Sequence, residues 1–420
     1  MPPSSSHSSE TAKNQNDAMN ERFPRLLVAT EFPPNAPGGG PAVVRQMLRD
    51  WPAEQLFWWS CLPERDQTFG RRVAGQAVAR IPGKLYPNRR WCGPKSWVLE
   101  QLWTPWATRH FRRTLGQWQP DVVWVIPHGW SIPPLAKVLP RDGTGMHVSI
   151  HDYADCGSMV RTFGGGPTRR MLAGADRLYA GATTRDAICQ PMIQNLLART
   201  GQEGAVARAG LEREDFEFLN GPPVPTTGPL RIAYAGTILV EAAFGTFVSA
   251  LKKNRHRLSR PVALEFFGNH SYRDRSWFDP AWMKEHGNLA AAPLAAALKQ
   301  CDWGFSPMSL TDDDPRYNRF SLPTKFVSYL GAGLPVITLG HPESSVVKMA
   351  CAYDVGVWLT TADVNELAER LTAALADPAP KARYQAEILR CARTEFDADR
   401  MRATLYASFQ AGAAVTHRKA

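Results

Sequence analysis

The sequence predicts an α/β protein of two domains, and three observations carry that prediction. The chain has 420 residues, more than one ordinary hydrophobic core organises and suited to two domains of roughly 200 residues. A short apolar strand that runs into glycine and then a helical pattern occurs at residues 25–40, and the strand-then-glycine pattern restarts at residue 230. Between the two, residues 220–229 read NGPPVPTTGP, a linker rich in Pro and Gly. The division expected is a polar tail over 1–22, a first domain over 23–220, a second over 221–395, and a terminal helix with its tail over 396–420.

Composition narrows the class. An apolar fraction of 44% with 21% charged residues is that of a globular protein. No run of about 18 apolar residues exists, so no segment is expected to span a bilayer. Residues 1–21 are polar and lack an apolar centre, which reads as a disordered tail rather than a signal peptide. The seven cysteines are scattered and never form a C-x-x-C pair. That spacing argues against a disulfide framework or a zinc site and for a reducing, cytoplasmic setting. The formal net charge of +10 resides mostly between Arg22 and Asn220. Such a half attracts nucleotides, anionic lipid or nucleic acid alike. No basic arm or recognised module accompanies it, so nucleic acid is not an expected partner.

In chain order, residues 25–30 (RLLVAT) are the first strand and residues 31–40 (EFPPNAPGGG) the loop after it. Pro41 then opens a helical pattern carrying Val43, Val44, Met47 and Leu48. Strand, glycine loop and helix bring backbone N–H groups to a phosphate or sugar. A triple glycine is also an ordinary tight turn, and it is not the dinucleotide fingerprint. Residues 56–60 read as a second strand. Residues 89–118 interleave Trp91, Trp97, Trp103, Trp106 and Trp118 with Arg90, Lys95, Arg109, Arg112 and Arg113. That composition fits an interfacial membrane element, and equally a core-facing helix with tryptophan as packing, interrupted at Pro105. Residues 121–126 and 146–150 are parallel-sheet strands, the second ending at His151-Asp152. Open α/β sheets place ligands at strand C-termini, so His151 is either a site residue or a satisfied structural histidine. Residues 176–182 read as the next strand, with a helix from Arg185.

In the second half, residues 230–236, 262–267, 301–307, 335–339 and 355–359 supply strands. Asp363 starts an amphipathic helix, and residues 396–409 a terminal one. The densest signal is residues 319–340, RFSLPTKFVSYLGAGLPVITLG. Ser321 is a good N-cap and Pro323 fits the first helical turn. Phe326, Val327 and Leu330 follow at helical spacing, and Gly331-Ala332-Gly333 ends the run. Lys325 lies in the first turn, with Arg316 and Arg319 upstream, where the helix dipole disfavours cations. A bound anion held by free backbone N–H groups resolves that conflict. Neutralisation by Asp312, Asp313 and Asp314 is the competing resolution.

The pattern Ser321-x-Pro323-x-Lys325, followed by Tyr329-Leu330-x-Ala332-Gly333-x-Pro335-Val336-Ile337, resembles the nucleotide-sugar loop of GT-B glycosyltransferases of the family 4-like group. The resemblance covers residues 25–409, densely in the second half. It implies two Rossmann-like domains facing across a cleft, with a C-terminal helix crossing back to the first domain. It implies transfer of a sugar from a nucleotide-sugar donor to a saccharide or lipid-linked acceptor, with retention, no metal and no other cofactor. Lys325 and Arg319 would take the diphosphate, with Ser321 and Thr324 capping or contacting it and Gly236-Thr237 close by. Gly39, Gly40, His151 and Asp152 would face sugar and acceptor, and His151, Lys325 and Arg319 form the catalytic set.

Two positions depart from the family. Ser328 stands where a glutamate usually holds the donor ribose, and no Arg or Lys follows Gly236 until Lys252. Glu343 is then a substitute ribose contact, or simply a partner of a helix dipole. The same departures suit an alternative: a GT-B-like nucleotide-sugar binding protein without turnover. The setting expected is cytoplasmic, with peripheral contact to an anionic membrane at its inner face.

Overall fold

The computed structural model describes residues 23–36, 38–63, 72–86 and 91–419. The polar tail over 1–22, and Arg90, lie outside the described residues. The chain divides into two compact units, one formed by the residues up to Arg208 together with Arg400–Ala420, the other by Ala209–Asp399.

Unit 1 is built on a seven-stranded sheet in the order β3-β2-β1-β4-β5-β6-β7, every pair parallel. The strands are β1 Leu26–Ala29, β2 Leu56–Ser60, β3 Gly75–Val78, β4 Val122–Val125, β5 Gly145–Ile150, β6 Thr184–Ala187 and β7 Ala205–Val206. Unit 2 repeats the scheme with six strands in the order β10-β9-β8-β11-β12-β13, again all parallel. Here the strands are β8 Leu230–Ala235, β9 Val262–Phe267, β10 Met283–Glu285, β11 Trp303–Pro307, β12 Val336–Leu339 and β13 Gly356–Leu359.

The central strands β1, β4, β5, β11 and β12 are buried at every residue. Helices cover both faces of such sheets, which is why these strands are continuous apolar runs rather than alternating ones. In each sheet the strand order reverses between the first strand and its crossover partner: β1 against β4, and β8 against β11. At the strand C-termini of such switch points doubly wound sheets bind ligands.

The last helix, Ala398–Lys419, leaves unit 2 in sequence and from Arg400 onward belongs to unit 1. The Thr416 hydroxyl donates to the Asp121 carbonyl at 2.6 Å and accepts from the Gly145 N–H at 2.7 Å. Phe409 packs edge-on to Trp51 and tilted against Trp124. Beneath it, buried His147 bonds Asp186 at 2.8 Å and Thr184 at 2.9 Å, tying β5 to β6.

Several expectations are corrected. Residues 176–182 are not a strand but the end of the helix Gly165–Gly181, because Met171, Ala175, Leu178 and Tyr179 repeat at helical spacing and are all buried. The strand begins two residues later at Thr184. Ser321 does not cap the helix of Lys325. It ends the short helix Pro315–Phe320, which Asp314 caps through the Tyr317 N–H, and the next helix, Thr324–Gly331, starts after Pro323 with no side-chain cap. Pro105 does not break its segment. A π-turn at Leu99–Trp103 absorbs it into the first turn of the helix Thr104–Trp118. Residues 209–229, which include the expected linker 220–229, are part of unit 2. Leu211 bridges Asp397, Lys381 donates to the Val224 carbonyl at 3.2 Å and Gln385 to that of Gly221 at 2.6 Å.

Candidate active site

In unit 2 the switch point at the β8 end carries two glycines, Gly236 and Gly268. Gly236 holds φ +94°, a left-handed conformation open to glycine. A Cβ on Gly268, just past β9, would stand 3.0 Å from the Gly236 carbonyl oxygen. Two backbone turns therefore pack face to face with no side chain between them.

Lys325 reaches this turn from the first turn of the helix Thr324–Gly331. Its Cε lies 4.0 Å from where a Gly236 Cβ would be. Its ammonium donates to the Tyr234 hydroxyl at 2.8 Å and sits 4.1 Å from that ring's centroid. Tyr234, buried in β8, donates its own hydroxyl hydrogen bond to the Thr237 carbonyl at 2.7 Å. No carboxylate pairs with Lys325 among the described residues, and burial pushes its pKa down to about 7. A half-buried cation with only a neutral phenol for company is a seat for an anion. The Tyr234 hydroxyl, raised by burial, stays neutral. Thr237 completes the turn, with its hydroxyl 3.2 Å from His270 Nδ1.

The remaining donor-side candidates differ in their engagement. Thr324 is exposed at the start of the helix. Arg319 is bound to Asp312 at 2.6 Å, so its charge is already balanced. Ser321 offers its carbonyl to the Ser345 hydroxyl, linking the loop before Lys325 to the next helix, Ser345–Tyr353. Glu343 precedes that helix and accepts from Lys348 at 2.7 Å, a bond that with the Lys348 charge holds its carboxyl below the usual range. Ser328 turns its hydroxyl back to the Thr324 carbonyl at 3.2 Å.

In unit 1 the β1/β4 switch point holds a group that sequence reasoning missed. Glu31, 3% exposed at the end of β1, accepts from His128 Nδ1 at 2.8 Å and from the Trp130 N–H at 2.9 Å. Gly129 makes this fit possible: it holds φ +48°, and a Cβ there would come 2.3 Å from the Glu31 carboxylate. Burial works against a charge on His128, but the bond to Glu31 and the carboxylates of Glu31 and Asp152 outweigh it and raise its pKa. His151, after β5, is pushed the other way, down to about 4. Burial dominates, Asp186 opposes it and His128 adds to it. The switch point thus pairs a histidine biased toward its cation with one held neutral. Asp152 acts on His128, and His128 on His151, through charge alone. Gly39 and Gly40 open the helix Gly39–Met47 after Gly38 at φ +111°, and a Cβ on Gly40 would meet nothing within 4 Å.

No protein-family model matches the sequence, and no curated protein matches it. Solved structures do. The UDP-forming α,α-trehalose-phosphate synthase of Burkholderia xenovorans aligns with 92% of this chain and 99% of its own, at TM-score 0.62 and 13% identity. Sucrose-phosphate synthase of Thermosynechococcus elongatus aligns over 91% and 97%, at 0.59 and 13%. WaaG, a glycosyltransferase involved in lipopolysaccharide biosynthesis, aligns over 91% and 99%, at 0.58 and 12%. At such identities the likeness speaks for architecture: the chain has the two-unit parallel α/β fold of these glycosyltransferases, the GT-B fold.

Proposed function

We propose that the protein is a glycosyltransferase that moves a sugar from a nucleotide-sugar donor to a hydroxyl-bearing acceptor, as its resemblance to the family 4-like group implies. The observation that carries the reading is Lys325, a half-buried ammonium without a carboxylate partner among the described residues, set against the glycine turn at the end of β8. The donor diphosphate would take the place that the missing counter-ion leaves, with the uncapped N–H groups at Thr324 and Lys325 as further donors. Structures of the same fold were solved with UDP-2-fluoro glucose and with glucose-6-phosphate, which makes a sugar or sugar phosphate the natural first acceptor to try.

In the reaction the bond from the anomeric carbon to the diphosphate oxygen breaks and a bond to the acceptor oxygen forms, with retention. The acceptor proton passes to the departing phosphate oxygen. Charge grows on that phosphate in the transition state, so a cation already in place there stabilises it without reorganising. His151, neutral at pH 7, would hydrogen-bond the sugar or acceptor, and Gly40 leaves room for it. Metal is not required on this reading. Asp312 is taken by Arg319, Asp313 by the Thr311 hydroxyl at 2.6 Å, and Asp314 by the helix it caps. Turnover lost in EDTA and restored by manganese would refute that part.

The test is calorimetry with a panel of nucleotide-sugars, followed by an assay for transfer or slow donor hydrolysis. Lys325→Ala should weaken binding by about 1.5–3 kcal/mol, the range for hydrogen bonds to charged groups. Binding without any turnover would select the non-catalytic alternative, and unchanged affinity would move the anion site elsewhere. The pH dependence has a definite sign. A bound anion raises the pKa of Lys325 above its free value of about 7. Affinity is therefore highest below that pH and falls as pH rises through it.

A further inference from the structure

A second cationic feature lies wholly within unit 1. A cleft of about 590 Å³ opens between the helices Thr104–Trp118, Ile132–Asp142 and Gly165–Gly181, and five basic residues line it: Arg109, Arg112, Lys137, Arg141 and Arg177. No acidic residue lines it. All five are exposed, and none has an ion-pair partner among the described residues. Arg170, on the helix Gly165–Gly181 itself, and Arg199, on the helix after β6, are instead paired with Glu100 and Asp176. Like charges gathered without counter-ions repel one another, and an anionic surface relieves that repulsion.

Large apolar side chains stand on the helical segment Cys92–Trp118 that also carries Arg109 and Arg112. Trp97 is 60% exposed, Leu102 65% and Trp106 45%. They are not needed for packing, because Leu99, Trp103, Ala107, Phe111 and Leu115 already fill the buried side of the same segment. Trp106 adjoins Pro105 in the cleft wall and is one helical turn from Arg109. Indole rings and basic side chains on one exposed helical segment match the chemistry of a phospholipid interface, with rings at headgroup depth and cations on the phosphates. No helix among the described residues is long and apolar enough to cross a membrane, so the contact would be peripheral.

We propose that unit 1 docks onto an anionic phospholipid bilayer through this face, the cleft taking lipid phosphates and Trp97, Leu102 and Trp106 entering the interface. A soluble polyanion would satisfy the cations but would leave the exposed indoles unexplained. The test is co-sedimentation of the full chain with phosphatidylcholine vesicles and with phosphatidylcholine–phosphatidylglycerol vesicles, with heparin binding measured in parallel. Binding to the anionic vesicles alone, weakened by salt, is expected. Arg109→Glu/Arg112→Glu/Lys137→Glu should weaken it by a factor of about ten or more. Trp97→Ser/Trp106→Ser should remove the part that survives high salt. All five positions are exposed, and unchanged far-UV circular dichroism with retained nucleotide-sugar binding verifies the fold of each variant. Equal binding to neutral vesicles, anionic binding indifferent to the charge reversals, or heparin binding without vesicle binding would each overturn the proposal.

Discussion

Lys325 sets function against stability at a single residue. Its ammonium gives up water on burial and gains a phenol oxygen, so in the free protein it is a destabilising group. Its folded pKa of about 7 lies below the ordinary 10.5. Between those values the unfolded chain binds more protons, and the stability of unit 2 rises with pH across that window. Lys325→Met keeps the packing of the stem and removes the charge. Its melting temperature at pH 7 should be at or above wild type, by about 2–4 °C for each kcal/mol recovered, while nucleotide-sugar no longer shifts it. A fall of several degrees would make Lys325 a structural residue. His128 behaves oppositely: its pKa is raised, so its pairing with Glu31 stabilises unit 1 at low pH and is lost as pH rises through the folded value. Glu31→Gln should lower the His128 pKa, read by NMR titration of the imidazole. Lys325 was legible in the sequence because a lysine in a first helical turn is a local contradiction. Glu31 and His128 were not, because 97 residues separate them and only the β1/β4 switch brings them together.

Among the elements, the strands announced themselves where both faces are buried. Residues 262–267 are read to the residue as β9, because Val262, Leu264, Phe266 and Phe267 are buried and only Ala263 and Glu265 are half-buried. The edge strands β3 and β10 were missed, being short and half-exposed, and so was the two-residue β7. Residues 176–182 misled because Leu178 and Tyr179, adjacent in sequence, imitate a buried strand. Only their register with Met171 and Ala175 identifies the helix. The terminal helix was anticipated, but its tight seat was not. A Cβ on Gly145 would fall 1.8 Å from the Gly412 carbonyl, and one on Gly412 would meet Val122 at 2.7 Å. Helix and sheet touch there backbone to backbone. Gly412→Leu should therefore cost about 1–3 kcal/mol by overpacking, measured as a lower urea midpoint in unit 1. A neutral result would show that the helix can lift from β5 without loss.

At the scale of the whole molecule, each unit owns a sheet, a core and a strand-order reversal, and the last helix gives unit 1 a piece of chain made after unit 2 is complete. Two consequences follow for hydrogen exchange. Nucleotide-sugar binding at Lys325 and Gly236 adds free energy only to states in which that seat is intact. Added protection should fall on β8, β11 and the helix Thr324–Gly331. Removal of residues 400–420 strips the Thr416 bonds to Asp121 and Gly145 and the Phe409 ring from Trp51 and Trp124. Protection should then drop in β4 and β5, because amides exchange through the local opening that those contacts suppress. The truncated chain should still show the nucleotide-sugar effect in β8 and β11, since every group of the Lys325 seat lies within Ala209–Asp399. Loss of that effect on truncation would mean that the donor site needs unit 1 intact, and that the anion seat in unit 2 is not sufficient to bind.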